Sequence, residues 1–169
     1  MAEIGIIQWL QSYSRPGLDY FFIAVTWLGT EGFYLIAIAL IYWLVSPSLG
    51  IRVGLLFCGS MYVNSFLKDL LALPRPSPDQ VRVLYPASGT GYGFPSGHAQ
   101  GSITFWGYLA GQKRKPGIIL GAALLIFLIS LSRLYLGLHF PRDIIGGWLI
   151  GLVLLLVYGG LLRFTGGVA

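Results

Sequence analysis

The sequence has very little charge. Only 10% of its 169 residues are Asp, Glu, Lys or Arg, whereas 56% are hydrophobic. Soluble domains carry about 25% charged residues, so this chain has too little charge to cover a water-facing surface. Intrinsic disorder is also excluded, because the chain can bury far more apolar area than a disordered segment does. The composition therefore predicts an integral membrane protein.

The sequence also lacks the signs of a disulfide or zinc framework, of nucleic-acid binding and of a cleaved signal peptide. The chain has one cysteine, which excludes an intramolecular disulfide framework or a thiolate zinc site; Cys58 lies in an apolar run and is predicted to be a small buried hydrophobe. The net charge of +5 does not indicate nucleic acid, because the basic residues are scattered between hydrophobic runs. The N-terminus is acidic at Glu3 and has no basic residue before Arg15, unlike a cleaved signal peptide.

Four hydrophobic runs are long enough to cross a bilayer, whose core of about 30 Å needs roughly 20 apolar residues per helix. They cover residues 48–71, 95–111, 116–138 and 142–162. The first run ends at Pro74, which forbids further helix. The other three begin at Pro95, Pro116 and Pro141, and proline is favourable at the first position of a helix.

The N-terminal third is less regular. Residues 32–45 form a short span that can draw on the residues before it, and residues 18–30 are apolar but too short to cross alone. A sixth crossing requires residues 18–30 to complete one. Residues 3–13 place Ile4, Ile6, Ile7 and Leu10 along one helical side, as in a helix that lies in the membrane interface. We expect a single domain over 1–169: an all-α integral membrane protein with five to six transmembrane helices in one bundle and an N-terminal interfacial helix.

Threading the clear spans alternately sorts the charged residues onto two sides. One side receives only basic residues: Arg52, Lys113, Arg114, Lys115 and Arg163. The other receives Lys68, Arg75, Arg82, Arg133 and Arg142 together with Asp69, Asp79 and Asp143. The basic counts tie, so the positive-inside rule does not decide unaided. At least three basic residues of the second set belong to the candidate site described below, so they do not report on topology. We therefore expect the compact loop 113–115 to face the cytoplasm.

Ionisable residues at membrane ends are costly enough to indicate function, and three segments bring them to the same side. In the first, Lys68 ends a span and Arg75 follows the proline break; alone, Lys68 could snorkel and Arg75 could contact a headgroup. In the second, Ser96 can cap a helix whose free amides bind an anion, and Gly97 leaves room for it. His98 lies in the same turn. A capping serine without further function is the structural alternative.

The third segment holds Arg133, His139 and Asp143. Asp143 follows Pro141 in the first turn of a helix, where it can accept a hydrogen bond from the imidazole Nδ1–H and leave Nε2 free to attack or to take a proton. A structural His–Asp pair is the alternative. The catalytic interpretation is favoured because Arg133 lies in an apolar run and needs an anionic partner.

Together these segments supply three cations, a helix N-terminus, two histidines and an aspartate. Fixed cations and backbone amides suit a phosphoryl group, and two histidines allow one nucleophile and one general acid. The sequence has no carboxylate cluster for Mg²⁺ or Ca²⁺, so no metal or other cofactor is expected. The pattern predicts metal-free phosphoryl transfer through a phosphohistidine, without deciding which histidine attacks.

The chain resembles the type-2 phosphatidic acid phosphatase superfamily, whose signature is K-x6-R-P, then P-S-G-H, then S-R-x5-H-x3-D. All three motifs match in residue type, spacing and order between 68 and 143. The resemblance implies that His139 attacks phosphorus, that Asp143 orients it, and that His98 protonates the leaving group and then activates water. It also implies that the phosphoryl oxygens are held by Lys68, Arg75, Arg133, Ser96 and the amide of Gly97.

The predicted function is that of a lipid phosphatase of a plasma (bacterial inner) membrane, with its active site on the non-cytoplasmic face. Candidate substrates are undecaprenyl diphosphate, phosphatidylglycerophosphate, phosphatidate and lipid A phosphate, because the short loops leave little structure to bind a polar leaving group. A phosphotransferase and a non-catalytic phospholipid-binding or transport protein are the alternatives. Haloperoxidases of the family are large and soluble, which argues against that activity. Nothing in the sequence indicates an oligomeric state.

The segment 77–94 is longer than most connections. Its prolines, glycines and aromatic residues suit either a cap over the site or a plain interfacial loop. Arg82 and Arg142 could engage a second phosphate or a headgroup, or they could be solvated surface arginines.

Overall fold

The architecture follows from the prolines and caps that begin the helices. The computed structural model describes residues 2–164, which contain helices and loops and no β-strand. The helices are α1 (Ala2–Gln11), α2 (Pro16–Trp27), α3 (Glu31–Leu44), α4 (Pro47–Leu71), α5 (Gly97–Ser102), α6 (Tyr108–Lys113), α7 (Pro116–Tyr135) and α8 (Pro141–Phe164), with a π-helical turn over Ile103–Gly107 and a 3-10 turn over Pro86–Ser88.

Three of the four clear spans match single helices closely. Prolines begin α4, α7 and α8, and Ser46 caps α4 by accepting a hydrogen bond from Leu49 N at 3.3 Å. The helix α7 ends before the predicted residue 138, because Gly137 turns the chain with a φ of 70°. A Cβ at Gly137 would also lie 2.3 Å from Arg82 O, so only glycine fits this turn.

The predicted span 95–111 is the helical run 97–113. It begins after Ser96 and contains the π-helical turn Ile103–Gly107 between α5 and α6. Proline 95 lies before the capping residue instead of inside the helix. A π-helical turn inserts one extra residue into the helical repeat and often lies near functional sites.

By length and composition, three helices of the described range could cross a membrane: α4, α7 and α8. The helices α2 and α3 pass the same test only as a pair, bent by 51° at a short break. The helical membrane architecture is confirmed, whereas the number of crossings stays a prediction.

Two apolar clusters hold the helices together. The larger contains Tyr34, Val53, Leu56, Phe57, Phe105 and Tyr108, and it joins α3 and α4 to the run 97–113.

The start of α8 packs directly on α5. A Cβ at Gly147 would lie 2.7 Å from Ser96 O, and a Cβ at Gly151 would lie 2.9 Å from Gln100 O. This Gly-x-x-x-Gly spacing lets two membrane helices approach closely. It fixes the first turn of α5 beside that of α8.

The prediction that Cys58 is buried is wrong. It is exposed, and it shares one outer face of α4 with Ile51, Leu55 and Tyr62, which are 52%, 63% and 76% exposed. A membrane helix can leave apolar side chains on its outer face, because lipid is as apolar a neighbour as a protein core. Apolar sequence context therefore did not require burial inside the bundle.

The N-terminal helix forms where the sequence predicted it. Of its predicted apolar side, Ile7 is fully buried, whereas Ile6 is 45% exposed. Glu3 ties the helix to the start of α8, because its Oε1 accepts a hydrogen bond from Arg142 N at 3.0 Å. The helix is thus fixed to one end of the bundle.

Candidate active site

The three predicted segments meet at one end of the bundle. Two hydrogen bonds connect them: the backbone Ser96 N donates to Asp143 O at 2.9 Å, and the side-chain Arg75 Nη1 donates to Leu138 O at 2.7 Å. Asn64 Nδ2 on α4 donates to the carbonyl oxygen before Ser96, at 3.3 Å. The ends of α4 and α7 and the starts of α5 and α8 therefore surround one location.

His139 and Asp143 form a buried pair. His139 Nδ1 lies 3.2 Å from Asp143 Oδ2, and the two residues are 1% and 0% exposed. The same carboxylate oxygen accepts a hydrogen bond from Phe140 N at 2.9 Å. The carboxylate is thereby fixed from both sides, and it holds the imidazole in one orientation.

The contact on the other ring nitrogen fixes the tautomer. His139 Nε2 lies 3.0 Å from Arg75 Nη1, and a guanidinium can only donate. His139 Nε2 must therefore accept, so the proton of the neutral ring is on Nδ1 and is donated to Asp143. This leaves the Nε2 lone pair directed at the cationic side of the site.

The surroundings keep the His139 imidazole neutral. Burial lowers its pKa well below the ordinary value, and the positive charges of Arg133, Arg75 and Lys68 lower that pKa further. A neutral imidazole keeps a nucleophilic lone pair, whereas a protonated one does not. In this structure the lone pair accepts the hydrogen bond from Arg75 Nη1. Residue type, orientation and protonation state all agree with a nucleophile at this position.

His98 lies at the edge of the same site. Its Nε2 is buried and forms no well-aligned hydrogen bond within residues 2–164, and the backbone of Thr26 is a polar neighbour of the ring. The break between α2 and α3 packs against the ring, since a Cβ at Gly29 would lie 2.8 Å from His98 Cδ2. His98 also lines a cavity of about 310 Å³ that reaches Glu31, Met61 and Thr90. This cavity provides space for a group bound next to the imidazole.

Two of the cations bind the carbonyl oxygens of residues 90–93, at the end of the loop 77–94. Lys68 Nζ donates to two of these oxygens at 2.7 and 3.3 Å. Arg75 donates to two others through Nε and Nη2, each at 2.9 Å. The loop therefore lies against the site as a cap instead of extending into the interface.

Arg133 is fully buried and has only neutral partners among the described residues. Its Nη1 donates to Thr26 Oγ1 and Ser88 Oγ, both at 2.8 Å, and its Nη2 donates to Ser88 O at 2.6 Å. Its Nε is buried without a partner. The sequence predicted an anionic partner, and the protein supplies none. A buried guanidinium without an anion is costly, so this site favours the binding of one.

The start of α5 has the predicted capping geometry. Ser96 is fully buried, and its Oγ accepts a hydrogen bond from Ala99 N at 3.5 Å. Gly97 packs closely on α4, because a Cβ there would lie 3.2 Å from Asn64 Oδ1. The free amides at this helix start lie beside the segment that carries His98.

Several residues that support the site were missed in the sequence. Asn64 Nδ2 donates to Gln100 Oε1 at 2.9 Å, and Gln100 Nε2 donates to Ser60 O at 2.7 Å. These buried amides fix α4 to α5, and polar residues within apolar runs are the signal that could have found them. Thr26 carries the same signal, since it lies inside the apolar run 18–30, whereas Ser88 carries none. Only the fold brings both of them to Arg133.

The cap is also held by the N-terminal helix. Gln11 Nε2 donates to Arg82 O at 2.8 Å and to Tyr135 O at 2.9 Å, and Gln11 Oε1 accepts from Arg82 N at 3.0 Å. One side chain thus joins α1, the cap and the end of α7. Nothing in the sequence pattern indicated this contact.

Arg82 and Arg142 have acidic partners from the N-terminal helices. Arg82 pairs with Asp19 at 3.5 Å, and Arg142 pairs with Glu3 at 3.4 Å. Both arginines are about half exposed. These contacts show that both arginines help to attach α1 and α2, and their exposure agrees with the surface position considered from the sequence. A role with a second phosphate or a headgroup stays a prediction.

The chain is similar to known proteins over most of its length. The PAP2 superfamily model matches residues 49–163. The sphingosine-1-phosphate phosphatase 2 of Mus musculus is 36% identical over 134 residues, which cover 76% of this chain and 38% of that protein. The lipid A 4'-phosphatase of Bacteroides thetaiotaomicron is 33% identical over 161 residues, which cover 88% of this chain and 72% of that protein.

The fold is similar to a solved structure as well. The PAP2-type phosphatidylglycerolphosphate phosphatase from Bacillus subtilis superposes with a TM-score of 0.82 and 25% sequence identity, over 95% of this chain and 84% of that chain. The chain spans only about two fifths of the length of several curated relatives that it matches. The likeness therefore concerns the helical core that carries the three motifs.

Proposed function

The chain belongs to the PAP2 superfamily, and on this premise we propose that it is an integral-membrane lipid phosphatase acting through a phosphohistidine. The observation that carries the proposal is the state of His139: its Nδ1 donates to Asp143, and its Nε2 lone pair lies 3.0 Å from Arg75 Nη1. This geometry supports a nucleophile whose target is an anion. The relatives named above are phosphatases of lipids, which supports the same reaction class.

In the first step, Arg75 Nη1 releases His139 Nε2 and donates to a phosphoryl oxygen instead. The freed Nε2 lone pair forms a bond to phosphorus while the bond from phosphorus to the leaving oxygen breaks. His98 gives its proton to that oxygen. Asp143 stabilises the positive imidazole ring. In the second step, His98 takes a proton from water, the water oxygen attacks phosphorus, and the nitrogen–phosphorus bond breaks. The products are the dephosphorylated lipid and phosphate.

The phosphoryl oxygens are held by Lys68, Arg75 and Arg133, with Ser96 and the amide of Gly97. Preorganised donors of this kind stabilise the charge that develops in the transition state. The unpartnered Arg133 Nε supports this role, because a bound phosphoryl oxygen would give it an acceptor. The carbonyl oxygens of residues 90–93 keep the other two cations oriented toward the same place.

The substrate is a phosphomonoester or diphosphate of a membrane lipid. Candidates are undecaprenyl diphosphate, phosphatidylglycerophosphate, phosphatidate, lipid A phosphate and, from the relatives, a sphingoid base phosphate. The cavity of about 310 Å³ beside His98 supports a lipid leaving group, since it extends from the general acid to the break between α2 and α3.

We further propose five crossings, with the bent α2–α3 pair as one and α4, the run 97–113, α7 and α8 as the others. The α1 helix then lies in the interface on the side of the site. The loop 113–115 carries three basic residues and faces the cytoplasm of a bacterial inner membrane by the positive-inside rule. The site then faces away from the cytoplasm.

The test is a phosphate-release assay of the purified protein on a panel of these lipids, with and without EDTA and vanadate. We expect release from at least one lipid phosphate, unaffected by EDTA and abolished by vanadate. In the His98→Ala variant, label from a phosphorus-32 substrate should remain on the protein as an acid-labile, base-stable adduct. Complete loss of activity in EDTA would contradict the metal-free route.

Two alternatives give different results in the same assay. A phosphotransferase would place the label on an acceptor alcohol in place of free phosphate. A non-catalytic lipid-binding protein would bind phospholipid in both the native and the His139→Ala form, and would hydrolyse it in neither.

A further inference from the structure

The end of the bundle opposite to the active site contains a larger cavity. It has a volume of about 940 Å³ and lies between the start of α4 and the ends of α6 and α8. Tyr158 OH donates to Arg52 O at 2.9 Å and joins α8 to α4 beside it. The cavity shares no lining residue with the active site.

Three arginines line this cavity: Arg52 from α4, Arg114 from the end of α6 and Arg163 from α8. None of them forms an ion pair with another residue of the range 2–164. The segments that build this end, residues 44–52, 108–120 and 155–164, contain no Asp or Glu. The protein therefore provides positive charge here without an acidic side chain to neutralise it.

Two buried polar groups of the cavity also lack a well-aligned partner. Arg52 Nε and the hydroxyl group of Tyr108, a residue that is 4% exposed, are both buried and form no well-aligned hydrogen bond with a described residue. The two side chains lie close to each other, so the Tyr108 hydroxyl proton and the guanidinium donors are directed into a common space. Arginines that only snorkel would extend their polar atoms into water. Buried donors that lack acceptors instead indicate that the cavity accommodates an acceptor.

The shape of the cavity suits a ligand with a polar and an apolar part. Glycines keep it open: a Cβ at Gly111 or Gly160 would meet no atom within 4 Å. Leu155 and Leu156 form an apolar wall beside the arginines. The cavity is thus cationic at its polar side and apolar toward the lipid-facing surface of α8.

We propose that this cavity is a second anion site, which binds a phosphate-bearing ligand, the headgroup of an anionic phospholipid in the leaflet opposite to the active site. Planar guanidinium groups bind phosphate oxygens in a bidentate manner, and the Tyr108 hydroxyl adds a neutral donor. A soluble phosphate has the same chemistry. The two ligands differ because only the phospholipid has acyl chains, which Leu155 and Leu156 can contact.

The site can be tested by lipid titration of the purified protein in detergent, with native mass spectrometry as the readout. The probes are phosphatidylglycerol, phosphatidylcholine and inorganic phosphate. We expect phosphatidylglycerol to bind, and Arg52→Gln to weaken that binding about tenfold, which corresponds to the loss of one charge-assisted hydrogen bond. Arg114→Gln, at an exposed position, gives a second measurement if Arg52→Gln does not fold.

The matched control is Lys115→Gln, which removes the same charge from the same end of the bundle outside the cavity. It should change binding by less than about twofold, as expected for an exposed charge. A second pair tests the cavity without changing charge. Gly160→Leu should fill the cavity and weaken binding, whereas Gly117→Leu, which also has open space around it and lies outside the cavity, should not.

The outcomes separate the possible ligands. Binding of phosphatidylglycerol but not of inorganic phosphate identifies a lipid headgroup, and equal competition by inorganic phosphate identifies a soluble ligand; both require the Arg52 effect. The proposal is overturned if Lys115→Gln and Arg52→Gln weaken binding equally. It is also overturned if binding is lost in Lys68→Gln and retained in Arg52→Gln, because the lipid would then occupy the active site.

Discussion

The two ends of the bundle use positive charge in different ways. Five of the eleven basic residues lie at the end with the larger cavity, which has no acidic residue, and the other six share their half of the molecule with all six acidic residues. The net charge of the chain therefore comes from the end that carries no predicted catalytic residue. Net charge alone would therefore place the candidate active site at the end of the bundle that lacks the three motifs.

Burial distinguishes the ends better than charge does. Arg133 is fully buried among hydroxyl and carbonyl groups, whereas Arg114 and Arg163 are exposed. At the active-site end, the backbone of the cap orients the cations from one side. At the opposite end, the exposed arginines are free to adopt the orientation that a bound ligand requires. The first arrangement suits rate acceleration by preorganised charge, and the second suits binding.

The largest expected effect is that of His139→Ala. Removal of the nucleophile should lower kcat by about four orders of magnitude or more, as for nucleophile deletions in other enzymes. Phosphate release by matched amounts of purified variant and native protein measures this. Lys115→Gln, prepared in the same way, should retain native activity. A His139→Ala enzyme with a tenth of native activity would contradict the assignment of the nucleophile.

Two lysine variants with the same charge change, one at each end of the bundle, test whether position or net charge determines the loss of activity. Lys68→Gln should lower kcat/KM about a hundredfold, because it removes a charged donor to the phosphoryl group. Lys115→Gln should lower it by less than about twofold. The measurement is kcat/KM on the best substrate of the panel. If the two variants lose activity equally, general attraction of the anionic substrate explains the effect and the distinction between the ends fails.

The pH profile should reflect the neutral state of His139. Burial and the neighbouring cations lower the pKa of its imidazole, so the attacking form persists as the pH falls below the ordinary value of about 6.5. The acid limb of kcat/KM against pH should therefore lie below pH 6.5. Asp143→Asn should move this limb to still lower pH, because it removes the carboxylate that stabilises the charged ring.

The control for the pH profile is again Lys115→Gln, which should keep the native limb. An acid limb clearly above pH 6.5 would show that the cations do not act on His139 as the geometry indicates.

A smaller effect is expected for Gln11→Ala. The change removes three hydrogen bonds that hold the cap to α1 and α7, at a cost of about 1–3 kcal/mol. KM should rise several-fold, since the cap orients Lys68 and Arg75, and the melting temperature should fall by a few degrees. Gln8→Ala provides a milder comparison, because that residue makes a single hydrogen bond to the cap. A lower melting temperature with unchanged KM would separate the cap from substrate binding.

The smallest effect is expected for Cys58→Ala. This residue is exposed on the outer face of α4, so the change should alter the free energy of unfolding by less than about 0.5 kcal/mol. Thermal unfolding in detergent measures this, with the buried Ser60→Leu as a contrasting variant on the same helix. A large loss in Cys58→Ala would restore the sequence prediction of a buried position.

Hydrophobicity and proline placement in the sequence were sufficient to predict the membrane helices. The bounds of α4 and α8 lie within about two residues of the predicted spans, because proline and left-handed residues end or begin a helix by local sterics. The sequence allowed the short span 32–45 to draw on the residues before it, but it did not predict the 51° bend between α2 and α3. Neither half is long enough to cross alone, and the angle between them depends on packing against different helices, α2 against α7 and α3 against α4.

The order of the three motifs was sufficient to predict which residues share one end. Alternate threading brings Lys68, Ser96 and His139 to the same side whatever the details of packing. The partners of these residues were not predictable, since Thr26, Ser88 and Gln11 lie far away in the sequence and have ordinary polar side chains. The same limit applies to Cys58, where apolar context could not separate a lipid-facing position from a buried one.

Local composition predicts a helical membrane protein with its ionisable motifs at one end, because the length and alternation of the spans can be read from hydrophobic runs. The tautomer of His139, the contact of the cap with three cations and the cavity at the opposite end became visible with the fold. Those features depend on distances between residues far apart in the chain, and such distances are set by helix packing rather than by any local pattern.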